Sequence, residues 1–360
     1  MTTFVMRRLL QLFPTLIGVS LLTFFIMRMG PGDPVRTMLG AEADPAVMEL
    51  KRKELGFDKP LSVQYLIYMG VMPKAEQDGW KPIISQYRVT VFGRDYDVRS
   101  FSYWQGVVEG NLGTSIISKD TVWLEIRRRL PATFELAALS MFFAMLTGIT
   151  IGVLSAVYPR SFLDSATRLF VFVFLAMPSF WLGLELIMHF ARGLEWFPPA
   201  GRGDPWVPEA LARHGFNMNL HHMLLPAVTL GVGTGAFLCR ILRSSMLQVL
   251  GQDYIRTARA KGLDRKRVVM KHALKNAMIP FITVAGLSMG SLLGGSVIVE
   301  SVFNWPGVGK YFVESILQRD FPVTMGCVLL LAGLIVLINL AVDLLYVVLD
   351  PRVRLDGKGT

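Results

Sequence analysis

Six apolar stretches, each about as long as a bilayer is thick, constrain this chain more than any other feature. A helix rises about 1.5 Å per residue and the hydrocarbon core measures about 30 Å, so one crossing takes about 20 mostly apolar residues. Such stretches run from Leu9 to Met27, Thr133 to Val157, Leu169 to Phe190, Met223 to Leu242, Met278 to Ile298 and Val323 to Leu349. Apolar residues make up 52% of the 360 and charged residues 18%, against about 45–50% and about 25% in soluble domains. No single globular core absorbs that excess, and the expected class is an all-α polytopic membrane protein of six transmembrane helices. The first stretch follows Arg7 and Arg8, and the nearest small-x-small pair, Ala41 and Ala43, lies too far beyond it for cleavage, so an uncleaved anchor is expected.

Orientation follows from where Lys and Arg sit in the short loops. The segment Ser244 to Ala277 carries Arg256, Arg259, Lys261, Arg265, Lys266, Arg267, Lys271 and Lys275 against Asp253 and Asp264. The tail adds Arg352, Arg354 and Lys358, while the opposite loops hold Glu195, Asp204, Glu209, Glu314 and Asp320. Both termini are therefore expected on the cytoplasmic side. The net charge of +10 is then accounted for by cytoplasmic loops beside anionic lipid, not by nucleic acid. The chain divides into residues 1–29 (tail and first crossing), 30–130 (extracytoplasmic), 131–349 (five crossings, with the cytoplasmic loop 244–277) and 350–360 (tail).

Residues 30–130 form the one soluble-like region. Asp44 and Pro45 make a cap and first turn, with Gly56 as a stop, and Asp58 is placed to cap a second helix. From Tyr87 to Phe101 the pattern alternates around Phe92-Gly93-Arg94-Asp95, which predicts a hairpin.

Several chemistries are excluded or disfavoured. Cys239 and Cys327 lie in apolar runs without ligand or disulfide spacing. Gly307-Val308-Gly309-Lys310 lacks the first glycine of a nucleotide-binding loop, where Asn304 stands, and has Tyr311 in place of the magnesium-binding hydroxyl. Gly286-Leu287-Ser288-Met289-Gly290 matches G-x-S-x-G but falls inside an apolar helix instead of at a strand-to-helix elbow. An intramembrane serine protease using Ser288 is thus a rival with no base in reach, since His272 belongs to the loop and His189, His214, His221 and His222 to the opposite side. A metal site among those histidines lacks a carboxylate or thiolate at ligand spacing. An ion-gradient-driven carrier is the other rival, and its inverted repeats and midplane charges are weak here.

The loop between the fourth and fifth crossings is more than basic. Asp253 is placed to cap a helix from Tyr254 to Lys261, which Gly262 closes in a left-handed turn before Asp264 starts another. Tyr254 and Ala258 share a face, and Ala258 and Ala260 are small enough to admit a close neighbour, ringed by Arg256, Arg259 and Lys261. A plain solvated loop that only sets topology is the alternative reading of these residues.

The run Asp253-Tyr254-Ile255-Arg256-Thr257-Ala258-Arg259-Ala260-Lys261-Gly262, with His272-Ala273-Leu274-Lys275-Asn276-Ala277 and Pro280, resembles the cytoplasmic loop of permease subunits in ATP-binding-cassette importers. It is most similar to the dipeptide, oligopeptide and nickel branch, in which Arg256-Thr257-Ala258 replaces the broader Glu-Ala-Ala. Met6-Arg7-Arg8-Leu9-Leu10, Gly30-Pro31-Gly32-Asp33-Pro34, Gly110-Asn111-Leu112-Gly113, Arg129-Leu130-Pro131-Ala132-Thr133, Glu300-Ser301-Val302-Phe303 and Leu349-Asp350-Pro351-Arg352 agree along the whole chain, while Val71 to Trp104 is longer than that branch usually carries. The resemblance implies a type I importer permease with a small extracytoplasmic domain between helices 1 and 2. It also implies a second homologous permease, two ATP-binding subunits that hold ATP and magnesium, and an extracytoplasmic solute-binding protein. No cofactor is implied on this chain, and the solutes would be peptides or peptide-like.

In such permeases the short cytoplasmic helix sits in a groove on the ATPase subunit, which assigns residues 253–262 to that contact. Gly286, Gly290 and Gly294, widened by Gly295, form a small-xxx-small face that is a packing seam and, by resemblance, borders the pathway together with Ser288. Charges within crossings are costly and face protein or water, so Arg240 and Asp343 are expected to pair near the inner end, and Glu185 and Glu300 to lie in the outer half, as interfacial or packing residues or beside the pathway.

Overall fold

Each of the six apolar stretches folds as helix. The structure is a computed structural model that describes residues 2–29, 34–40, 43–54, 58, 60–69, 84–91, 94–101, 107 and 110–349. The order is α1 (Thr2–Met29), α2 (Pro34–Leu39), α3 (Pro45–Glu54), α4 (Leu61–Met69), β1 (Ile84–Val91), β2 (Arg94–Phe101), α5 (Val122–Val157), α6 (Phe162–Ala176), α7 (Ser179–Leu186), α8 (Glu209–Ala212), α9 (Leu220–Leu250), α10 (Asp253–Ala260), α11 (Arg265–Arg267), α12 (Lys275–Val302), α13 (Val308–Leu317) and α14 (Phe321–Leu349). Four helical runs among the described residues are long and apolar enough to cross a membrane unaided: Val122–Val157, Leu220–Leu250, Arg265–Val302 and Phe321–Leu344. The first stretch is present as a shorter apolar run, Phe13–Met27.

The third stretch corrects the expectation of one straight helix from Leu169 to Phe190. It is a pair, Phe162–Ala176 and Ser179–Gly193, bent by 104°. Pro178 has no N–H and forces the residue before it out of the helical region, and Met177 is extended at φ −79, ψ 124. Hydropathy alone does not register such a break. Beyond α7 the backbone widens into a π-helix, Ile187–Gly193.

The chain forms two compact units. In the unit holding residues 128–313, α9 packs on α6, α7 and α12, and it meets α5 through glycines spaced four apart. A Cβ on Gly231 would stand 2.6 Å from the Ser140 carbonyl oxygen, and one on Gly148 would stand 2.9 Å from Leu238 Cβ. Gly152 and Gly235 repeat the pattern one turn on. Below this seam Leu238, Leu242, Met246 and Phe281 form one fully buried cluster, and Leu136, Met223, Phe303 and Trp305 form another.

Three buried carboxylates hold this unit together. Asp164 accepts from Ser155 Oγ at 2.7 Å, from Arg243 Nε at 2.7 Å and from Arg243 Nη2 at 3.1 Å, joining the ends of α5, α6 and α9. Glu135 pairs with Arg202 and accepts from the Asn217 N–H at 2.6 Å, which ties the α7–α9 loop to α5. Glu300 accepts from Thr133 Oγ1 at 2.8 Å and from the Lys310 N–H at 2.9 Å.

In the other unit, residues 17–127 and 314–329, Ser20 Oγ and Tyr65 Oη lie 2.7 Å apart and Phe24 meets the Tyr65 ring edge-on. The Ser115 hydroxyl bonds Asp320 Oδ2 at 2.5 Å. β1 and β2 pair antiparallel from Ile84↔Phe101 to Val91↔Arg94, the expected hairpin, with its turn residues Phe92 and Gly93 outside the described residues. Asp44 caps α3 by accepting from the Ala46 N–H at 2.8 Å. Asp58 does not start α4: the first carbonyl of that helix is Pro60, bonded by Gln64 N–H at 3.0 Å. The expected stop at Gly56, the Gly30-Pro31-Gly32-Asp33 motif, most of the Val71 to Trp104 stretch and the tail from Asp350 onward also lie outside the described residues.

The α5–α9 seam makes a matched prediction. Gly231→Ala inserts a methyl where backbone already stands, and should destabilise the protein by about 1–3 kcal/mol. Gly233→Ala, on the same helix but with its nearest neighbour 3.6 Å away, should be neutral or stabilising by up to about 1 kcal/mol from helix propensity. Thermal unfolding of the two variants in detergent checks this, and equal melting temperatures would contradict the close approach.

Candidate functional site

The unit between α9 and α12 is a short helix, a sharp turn and a second helix, and its capping can be followed bond by bond. Gln252 is extended and serves as the N-cap of α10, so Asp253 is the first helical residue and not the cap expected of it. The Asp253 carboxylate still sits at the positive end of the helix dipole, 3.3 Å from Arg256 Nη1. Gly262 lies at φ +77 and closes the helix: its N–H bonds the Arg259 carbonyl at 2.9 Å and the Leu263 N–H reaches the Ala258 carbonyl at 3.3 Å. Asp264 then caps α11 through the Lys266 N–H at 3.2 Å, as expected.

One face of α10 is locked into the protein. Ile255 is fully buried and Ala258 8% exposed, packed in the cluster that includes Val268, Val269 and Ala273 of the following π-helix, Val268–Leu274. Asn276 Nδ2 donates to Tyr254 Oη at 2.9 Å across the turn. Arg265 Nη2 donates to the Val157 carbonyl at the end of α5 at 2.8 Å, with its guanidinium over the Tyr158 ring. The unit is thus braced by α5, α9 and α12 together. This corrects the expectation that Ala258 faces outward: with 3.6 residues per turn, the face opposite Ile255 and Ala258 carries Asp253, Arg256, Thr257 and Ala260, all exposed. Arg259, Lys261 and Tyr254 flank it, also exposed. The exposed face is rigid, cationic and small at its centre.

The other expected residues disperse. Gly286 and Gly290 face α14, where a Cβ on Gly286 would meet Val342 Cγ1 at 2.9 Å and one on Gly290 would meet Ile335 at 3.4 Å. Gly295 faces Leu230 of α9, and Gly294 faces open space. The exposed stripe of α12 is instead Leu287, Ser291, Gly294 and Ile298. Ser288 is buried and donates to its own helix, to the Val284 carbonyl at 2.8 Å. Glu300 is fully buried, with Gly307 and Gly309 so close that a side chain on either would collide with its carboxylate, and in this chain it anchors packing, one of the two roles expected of it. Glu185 is half-exposed beside His189, 3.4 Å from its Nδ1. His221 and His222 bond the Trp196 and Gly201 carbonyls.

Arg240 and Asp343 do not pair among the described residues. Arg240 lies over the Phe237 ring and lines the α6–α9 side, whereas Val342, next to Asp343, packs on Gly286 of α12. The ion pair of α9 is made one turn later, by Arg243 with Asp164. Sequence reasoning missed that partner, although Ser161-Phe162-Leu163-Asp164 is a capping pattern, and Ser161 does accept from the Asp164 N–H. It also missed Arg265, whose partner is the carbonyl of a distant residue, and the Glu135–Arg202 pair, whose members are 67 residues apart.

Comparison with known proteins adds an independent line. A family described as binding-protein-dependent transport system inner membrane component matches residues 148–355, and its N-terminal companion matches residues 1–96. The di/tripeptide transport system permease protein DppB of Pseudomonas aeruginosa is 39% identical over 98% of this chain and 99% of its own length. The oligopeptide transport system permease protein AppB of Bacillus subtilis is 40% identical over 98% of this chain and 100% of its own. A chain of the MetNI methionine ABC transporter, solved in inward-facing form, superposes with a TM-score of 0.52 at 20% identity, covering 63% of this chain and 97% of that one, which places the fold among such membrane subunits.

The left-handed turn yields a prediction. No atom stands within 4 Å of a Cβ on Gly262, so the penalty for a side chain there is the backbone's alone. Gly262→Val should cost about 1–2 kcal/mol and Gly262→Asn clearly less. Thermal unfolding in detergent separates them, and a valine variant as stable as the asparagine one would rule out the strained turn.

Proposed function

This chain belongs to the family of binding-protein-dependent transport system inner membrane components, and from that premise we propose that it is the permease subunit of an ATP-driven importer of peptides or peptide-like solutes. The peptide substrate is supported by relatives named for peptides that align along almost the whole chain. The observation that carries the mechanism is the bracing of α10, buried on one face against α12 and its π-helix and exposed on the other.

A lever transmits motion only if it is stiff and fixed to what it moves. An ATP-binding subunit gripping Arg256, Thr257 and Ala260 would displace α5, α9 and α12 together, because Arg265, Ile255 and Asn276 tie α10 to each neighbourhood. ATP and magnesium belong to that subunit, and this chain carries out no covalent step. Two such subunits, a second related permease and an external solute-binding protein complete the assembly. The basic loop and both termini face the cytoplasm, following the excess of Lys and Arg around α10. The stripe Leu287, Ser291, Gly294 and Ile298 borders the second permease or the pathway, and alternating access opens that side in turn to each face of the membrane.

The test uses the reconstituted importer. Ala260→Glu places an anion at the centre of the outward face without touching the buried one, and should lower ATP-dependent peptide uptake at least about tenfold, the scale of a lost interface anchor, with the melting temperature unchanged. Ala258→Glu should instead lower the melting temperature, since it buries a charge among Ile255, Val268 and Val269. Full uptake with Ala260→Glu, or uptake that survives without ATP and collapses with the ion gradient, would refute the proposal.

A further inference from the structure

Between α6 and α9 a groove of about 440 Å³ opens near the α10 end, and its chemistry is divided. Val171, Phe172 and Leu175 supply apolar walls, and Arg168, Arg240 and Arg243 supply guanidinium groups. Phe172 is 73% exposed and Leu175 43%, an outward apolar face suited to lipid and unsuited to water. The three arginines meet one carboxylate: Arg243 is bonded to Asp164, and Arg168 stands 3.7 Å from the same carboxylate, 61% exposed. Three positive charges against one negative leave two uncompensated, and no described carboxylate pairs with Arg240.

Depth matters as much as charge. α9 has 31 residues and so outruns a hydrocarbon core of about 30 Å by about 15 Å. Arg243 and Arg240 precede its last residue, Leu250, by seven and ten positions, or about 10 and 15 Å along the axis. With that excess on the α10 side, Arg240 stands at the hydrocarbon boundary and Arg243 beyond it, toward the headgroups, where a guanidinium fork matches a phosphate and an exposed apolar wall matches an acyl chain.

We propose that this groove binds an anionic phospholipid, with its phosphate held between Arg168 and Arg240 and one acyl chain laid along Phe172 and Leu175. Basic pockets between membrane helices take such headgroups. Bound there, the lipid would bridge α6 to α9 beside the Asp164–Arg243 pair and stiffen the mount of α10. Assignment to the cytoplasmic leaflet rests on the orientation proposed above; binding itself does not.

Native mass spectrometry of the full chain in detergent, titrated with dioleoyl phosphatidylglycerol or dioleoyl phosphatidylethanolamine, tests the site. Phosphatidylglycerol should bind the more tightly. The double variant Arg168→Gln/Arg240→Gln should weaken it by about 30-fold, about fivefold for each cation removed, while Arg168→Lys/Arg240→Lys should retain it within about threefold. Equal affinity for the two lipids, an unchanged glutamine variant, or displacement by free glycerol phosphate would overturn the proposal. So would loss of phosphatidylglycerol in the assembled importer, which would make the groove a protein contact.

Discussion

A helix in lipid gains little by turning apolar side chains toward neighbours that are equally apolar, so membrane helices associate through shape and a few polar bonds. Here the shape is set by glycine. Gly148 and Gly152 on α5 and Gly231 and Gly235 on α9 let two backbones approach so closely that a methyl group has no room. With α5 and α9 fixed, α6 and α12 have a surface to pack on, and the short helix between α9 and α12 inherits a rigid base.

The polar bonds are few and saturated. Burying a carboxylate costs several kcal/mol unless its oxygens are bonded, and each of the three deep ones in residues 128–313 is. Asp164 takes both prongs of a guanidinium, Glu135 takes an arginine and two backbone N–H groups, and Glu300 takes a hydroxyl and the N–H groups that lead into α13. Each lies where a loop must be pinned to a helix: at the α5–α6 turn, under the α7–α9 loop, and between α12 and α13. The same logic explains why Gly307 and Gly309 have no side chains, since the carboxylate of Glu300 occupies that space.

These constraints converge on α10. It is too short to be stable alone, and it persists because Ile255 and Ala258 join the core, Gly262 and Asp264 turn the chain, and Arg265 reaches the end of α5. What remains exposed is a small cationic face whose position is set by three membrane helices. Under the proposed function, a partner that moved this face would move them.

Much of this was legible in the amino acids. Apolar length located the helices, the clustering of Arg and Lys marked one loop, and Gly262 and Asp264 announced its turn, because each is a property of neighbours within a few positions along the chain. The four-spaced glycines of α5 and α9 are equally visible in the sequence, as are those of α12. Tertiary structure alone decided which face of α10 points outward, that Arg243 and not Arg240 carries the ion pair, that Glu300 is sealed, and that the third crossing bends at Pro178. Sequence periodicity states that a helix has two sides; which side meets the core depends on residues tens of positions away, and only packing brings those together.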